Sequence, residues 1–221
     1  MDWLRQVEST RGYELTEKLF RLTDAVRGRT SSYDRTGGNR DFLVIAPGER
    51  KVIFDEAGPG CITHLWTTQL CGGAKRWPRN IILRIWWDDE PEASVECPLG
   101  DFFGLGHGER IDYVSLPLQM SPQKGKGFNC WWPMPFRRRA RIEVENDEPS
   151  SRFPGRAVGA KGAVPGIIFY YYVDYERYES LPEREFDDIG CFHAQYRRTD
   201  GGEDMRFDRD TGRRMGPFTW Q

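Results

Sequence analysis

The chain has 221 residues, 38% hydrophobic, 14% aromatic and 30% charged, enough for a core that needs neither disulfides nor metals. Lysine plus arginine (32) nearly cancel aspartate plus glutamate (34), giving a formal net charge of −2, which excludes a global field that would draw in nucleic acid or a membrane surface. The opening MDWLRQVEST lacks the basic and apolar regions of a signal peptide, and no apolar run approaches the roughly 18 residues of a membrane span, so the expectation is a soluble, cytoplasmic protein.

In chain order, the first patterned stretch is helical. Leu15, Leu19, Leu22 and Val26 recur at helical spacing with charged residues between them, and Gly28 ends the pattern as a C′ glycine would. A polar, glycine-containing loop follows from Ser31 to Asp41. The sequence then turns β-like. Phe42–Ile45, Lys51–Phe54, Cys61–Leu70, Asn80–Trp87, Arg141–Glu145 and Ile167–Tyr175 are short β-branched or aromatic runs, divided by turns such as Pro47-Gly48 and Gly58-Pro59-Gly60. The expectation is a mostly β, jelly-roll-type antiparallel β-sandwich with an N-terminal helix. The tail from Thr199 to Gln221 is charged and weakly patterned, with a β-like hint at Phe218-Thr219-Trp220.

The cysteines (Cys61, Cys71, Cys97, Cys130 and Cys191) are odd in number and lack any CxxC spacing, which argues against both a disulfide framework and a structural zinc. The histidines, His64, His107 and His193, are far apart, with no HExxH or HxH pattern. No metal or cofactor is expected. A GxSxG elbow and a phosphate-cradling glycine loop are also missing. The dense basic run Arg137, Arg138, Arg139, Arg141 reads as a solvated strand edge or face.

Three segments concentrate polar and aromatic groups. Tyr33-Asp34-Arg35-Thr36-Gly37-Gly38-Asn39-Arg40-Asp41 can turn several hydrogen-bonding groups toward one polyhydroxylated ligand, or can satisfy itself, with Asp34 and Asp41 bonding backbone N–H groups. Gly100-Asp101-Phe102-Phe103-Gly104-Leu105-Gly106-His107 offers either a sugar-contacting rim or a tight turn with aromatic packing. Phe128-Asn129-Cys130-Trp131-Trp132-Pro133 pairs an amide for hydroxyls with a ring for a sugar's C–H face, or else lines the core.

These segments also carry a resemblance. Ser31-Ser32-Tyr33-Asp34-Arg35-Thr36-Gly37-Gly38-Asn39-x-Asp41, Gly58-Pro59-Gly60-x-Ile62-x-His64-x-Trp66, Leu83-Arg84-Ile85-x-Trp87-Asp88 and Val95-Glu96-x-Pro98-Leu99-Gly100-Asp101-Phe102-Phe103-Gly104 resemble, in order, blocks of glycoside hydrolase family 172, first catalogued as domain of unknown function 2961. Phe128-Asn129-Cys130-x-Trp132-Pro133-Met134-Pro135-Phe136, Tyr171-Tyr172-Val173-Asp174-Tyr175 and Phe192-His193-Ala194-Gln195-Tyr196-Arg197-Arg198 continue the match, which spans Ser31 to Arg198.

The resemblance implies a capsid-like architecture of two jelly rolls per chain, assembly into trimers or multiples of trimers, and retaining hydrolysis of α-linked fructo- or arabinofuranosides by two glutamates. In the family those glutamates lie in second-half stretches resembling Gly-Glu-Gly-Asp and Gly-Thr-Glu-Asp-Tyr, and neither stretch occurs here. The expected organisation is therefore a helical segment (1–30), one jelly roll (31–198) and a tail (199–221) that could begin a second, with a separately encoded C-terminal half as a possible partner. No catalytic residue is transferred. The expected carbohydrate-contacting residues are Tyr33, Asp34, Arg35, Asn39, Asp41, Trp66, Asp101, Phe103, His107, Asn129 and Trp131. Two rivals stand beside the half-enzyme: a non-catalytic carbohydrate-binding or assembly module, and a complete hydrolase pairing Asp34 with Asp101 or Glu96.

Overall fold

The computed structural model describes residues 24–71, 77–148, 157–159, 162–164, 166–179, 189–197, 206–207 and 214–215. The first sheet runs in the order β1 (Val26–Ser31), β14 (Ile167–Arg177), β4 (Gly60–Leu70), β9 (Phe128–Cys130), β8 (Leu118–Met120), β7 (Tyr113–Val114). On it, β2 (Leu43–Ile45) also pairs with β14 and β10 (Met134–Phe136) with β4. The second sheet is β15 (Ala194–Gln195), β6 (Val95–Pro98), β5 (Ile81–Trp87), β11 (Arg139–Asn146), β3 (Arg50–Ala57). Two small ribbons complete the described strands: β12 (Ala157–Gly159) with β13 (Gly162–Val164), and β16 (Arg206–Phe207) with β17 (Arg214–Met215). Every pairing is antiparallel except β15 on β6. The chain passes repeatedly from one sheet to the other, a jelly-roll-type sandwich.

Alternation builds the core. On β5, Ile81, Leu83, Ile85 and Trp87 point inward, and on β11 so do Ala140, Ile142 and Val144. They meet Leu65, Phe128, Phe169 and Val173 of the first sheet in one cluster. Each large side chain withdrawn from water contributes about 1.5–3 kcal/mol. The opposite positions of β11 are Arg139, Arg141, Glu143 and Glu145, so two members of the arginine run, Arg139 and Arg141, lie on the outer face of a strand, and Arg137 and Arg138 are exposed just before it.

The chain's start departs from its pattern. Val26 and Gly28, read as the last turn and stop of a helix, lie in β1, which pairs along its length with β14. Seating beside a long central strand satisfies β1 backbone groups, and this outweighs a three-leucine periodicity. Residues 1–23, with the rest of that pattern, and Phe218-Thr219-Trp220 lie outside the described residues.

A bulge interrupts β4. Leu65 pairs with Val173 and His64 with Asp174, but Tyr175 pairs with Ile62, leaving Thr63 as the extra residue. Ile62 and Leu65 both point into the core. The inserted residue thus resets the alternation and turns His64 to the outer face.

After β6, the one-turn helix α1 (Leu99–Phe102) ends at Gly104, whose φ of +79° only glycine adopts cheaply. A Cβ there would run into the Tyr113 hydroxyl, which donates to the Phe103 carbonyl. Gly104→Ala is expected to cost about 1–3 kcal/mol, seen as a lower urea midpoint at unchanged slope. An unshifted midpoint would show that the turn relaxes freely.

Candidate functional site

The outer face of the first sheet gathers the polar and aromatic residues of five adjacent strands. Register sets Gln119, Asn129, Trp66, Tyr172 and Ser31 in one row, and His64, Asp174 and Arg29 in the next. Side chains two apart on a strand share a face, so neighbouring rows lie together.

Hydrogen bonds join these rows. Arg29 grips Asp174 with two N–H groups, Nη2 to Oδ2 at 2.9 Å and Nε to Oδ1. His64 lies between Asp174 Oδ2, 3.3 Å from Nδ1, and Asn129 Oδ1, 3.2 Å from Nε2. Asn129 is oriented by its Nδ2–H, which donates to the Gln119 carbonyl at 3.3 Å. A flipped amide would set two carbonyl oxygens against each other. Both neighbours of the imidazole thus present oxygen acceptors to it. Burial pulls the Asp174 carboxyl upward, but the bonds from Arg29 and His64 outweigh it and hold the group below the usual carboxylate range.

Aromatic rings flank the network. Trp66 stacks on Tyr172, with centroids 4.5 Å apart and planes at 15°. Trp131 stacks on His64 at 4.9 Å and 3°, while remaining 40% exposed. The Arg29 guanidinium lies 4.4 Å from the Tyr172 centroid. Flat, partly exposed rings beside oriented donors and acceptors suit a ligand with both hydroxyls and an apolar face.

Of the residues expected to contact ligand, Trp66, Asn129 and Trp131 meet here. Tyr33, Asp34, Arg35, Asn39 and Asp41 occupy the β1–β2 loop, where the self-satisfied arrangement is seen. Asp34 accepts from Thr36 N–H, Thr36 Oγ1 and Arg40 N–H, bonds that keep its carboxyl below its usual range. Asp41 Oδ1 accepts from Asp34 N–H at 2.7 Å, and the Arg35 guanidinium lies 5.6 Å from the Tyr33 ring centroid. The loop is nonetheless open, with Tyr33 58% exposed.

Asp101 belongs to α1, off the second sheet, and takes a two-pronged bond from Arg79. Phe103 is corrected: its ring is wholly buried against Phe102 and Phe128 and has no face for a sugar. His107 falls in the short turn Gly106–Gly108, and its side chain is outside those described. The sequence reading missed Arg29, His64, Tyr172 and Asp174. Tyr172 and Asp174, two apart on a long strand, were the available signal. His64 was hidden by the bulge and Arg29 by the apparent helix.

Burial pushes the thiols of Cys71, Cys97 and Cys130 up to about 12, so none of these is a ready nucleophile. Among the described residues no cluster of His, Cys, Asp or Glu could hold a metal ion, and no helix is long and apolar enough to cross a membrane.

Comparison with curated proteins finds no match. A family model described as GH172 domain-like matches residues 39–155, which include β2 through β11 and hence Trp66, His64, Asn129 and Trp131. That span is just over half of the chain, and with the ordered sequence blocks and the sandwich that holds them, the chain belongs to the GH172 domain-like family.

Proposed function

We propose that this chain recognises α-linked furanosides, of fructose or arabinose, on the outer face of its first sheet and serves as the sugar-binding part of a glycoside hydrolase. The observation that carries the reading is the Arg29–Asp174–His64–Asn129 network set between the Trp66–Tyr172 and His64–Trp131 stacks. The family relation supports the substrate class, and the open β1–β2 loop with Tyr33 and Asn39 supplies further hydroxyl partners.

Retaining hydrolysis needs two carboxyl groups about 5–5.5 Å apart, one able to hold a proton near neutral pH. In the network Asp174 is the sole carboxylate, and its partners keep it ionised, while Glu176, two residues further along the same strand, is held by Arg27 and by the Tyr178 hydroxyl. The rival pair Asp34 with Asp101 or Glu96 gains no support, since Asp34 caps its own loop, Asp101 holds Arg79 and Glu96 holds Arg84. The catalytic carboxylates therefore come from outside this face. Assembly into trimers would bring such groups to it.

The test is the purified chain on aryl α-arabinofuranoside and aryl α-fructofuranoside, with binding of the methyl glycosides measured in parallel. Binding without turnover is expected. Turnover that survives repeated purification would overturn the claim of external carboxylates, and absence of binding in folded protein would overturn the whole reading. Trp131→Ala should weaken binding about tenfold, the effect of losing one stacking ring; unchanged affinity would remove this face from consideration.

A further inference from the structure

The outer face of the first sheet is wider than one sugar ring, and its width follows from sheet order. Gln119 on β8 and Arg29 on β1 both belong to this face, with β9, β4 and β14 between them. Four strand intervals separate the two residues, about 19 Å at the usual spacing of neighbouring strands. The strands between carry the rings: Trp131 directly after β9, Trp66 on β4 and Tyr172 on β14. One ring per strand gives the face a repeat equal to the strand spacing, which is close to the width of one furanose ring.

Both ends of this span hold unspent hydrogen-bonding capacity. Arg29 is exposed and commits Nε and Nη2 to Asp174, while its Nη1 hydrogens meet no acceptor among the described residues. Gln119 is half-buried and donates from Nε2 to Ser121 Oγ at 2.6 Å, while its Oε1 meets no donor among the described residues. Between them, Asp174, His64 and Asn129 already bond one another or the backbone. New hydrogen bonds are therefore cheapest at the two ends, and ring contact is available along the middle. A single sugar reaches only one of the ends.

A chain of linked sugar rings meets this pattern with one ring per strand. The linkage narrows which chain. In 1→5-linked arabinofuranose the linkage consumes the only exocyclic hydroxyl of each internal residue, so no free hydroxymethyl arm stands between ring and sheet. A linked fructofuranose residue always keeps a second arm. We infer that this face takes a run of about four α-1,5-linked arabinofuranose residues laid across the strands. The inference rests on the furanoside reading above and adds the length and linkage of the ligand.

The test is calorimetric titration of the purified chain with methyl α-arabinofuranoside, methyl α-fructofuranoside and the α-1,5-linked arabinobiose, arabinotriose and arabinotetraose. Affinity should rise about thirtyfold from the methyl arabinoside to the tetraose, where four equivalent rings on one chain account for only about fourfold by statistics. In Gln119→Ala that gain should shrink about fivefold, through loss of one end contact. A gain no larger than the statistical factor, an undiminished gain in Gln119→Ala, or binding confined to the methyl fructoside would each overturn the inference and leave the furanoside reading standing. Absence of binding of every one of these sugars to folded protein would overturn both.

Discussion

Trp87→Ala is expected to destabilise the fold by about 3–5 kcal/mol, the usual cost of emptying a buried tryptophan site. Trp87 is 1% exposed at the end of β5 and stacks on Phe136 with planes at 11°. Its indole N–H also donates to the Phe192 carbonyl at 2.7 Å, tying residues 189–197 to the sandwich beside the parallel β15–β6 pair. Packing and tether separate in Trp87→Phe, which keeps much of the ring and loses the donor, for about 1–3 kcal/mol. Urea unfolding reads both. Against a typical total of about 5–15 kcal/mol, the alanine variant should be marginal at 37 °C. If it unfolds at the wild-type midpoint, the core does not centre where we place it.

Asp174→Ala comes second in expected effect. The substitution removes the shared acceptor of Arg29 and His64 and leaves two donors facing each other. The stability cost is about 1–3 kcal/mol, that of hydrogen bonds to a charged group. Sugar affinity should fall further than in Trp131→Ala, because His64 orients both Trp131 and Asn129. The pH dependence has a definite sign. Asp174's folded pKa is depressed, so its stabilisation is fully present above the unfolded value, about 3.9, and is lost as pH falls through the folded value. Thermal melts below pH 4 should show the wild type losing this increment and Asp174→Asn lacking it. Parallel curves for the two proteins would mean that Asp174 is not held as described.

Most strands were legible because alternation and β-branched residues act locally: Asn80–Trp87 and Arg141–Glu145 each lie within a residue or two of their ends. The exceptions have physical causes. Leu15, Leu19, Leu22 and Val26 satisfy a helical period, but only β14 decides what Val26 does, and its partner there lies about 150 residues away in sequence. Of the candidates read from the sequence, Trp66, Asn129 and Trp131 share the outer face of the first sheet, Asn129 and Trp131 from one motif that holds an amide and rings together. The site was not legible as a constellation, because its members come from β1, β4, β9 and β14, and sheet order cannot be read from spacing. Phe103 shows the converse, since a glycine-rich stretch with two phenylalanines looks the same whether its rings face solvent or core.

The unpaired Thr63 makes the outer face of the first sheet depend on a count as well as on identities. Ile62 and His64 are two steps apart along one strand, and in an unbroken ladder they would share a side. Deleting the single codon for Thr63 would leave each of the face's side chains present in the gene, yet would force either His64 inward or Ile62 outward. A relative could therefore retain every residue of the motif and lack the face, and comparisons that score substitutions while treating gaps as neutral would not see the difference.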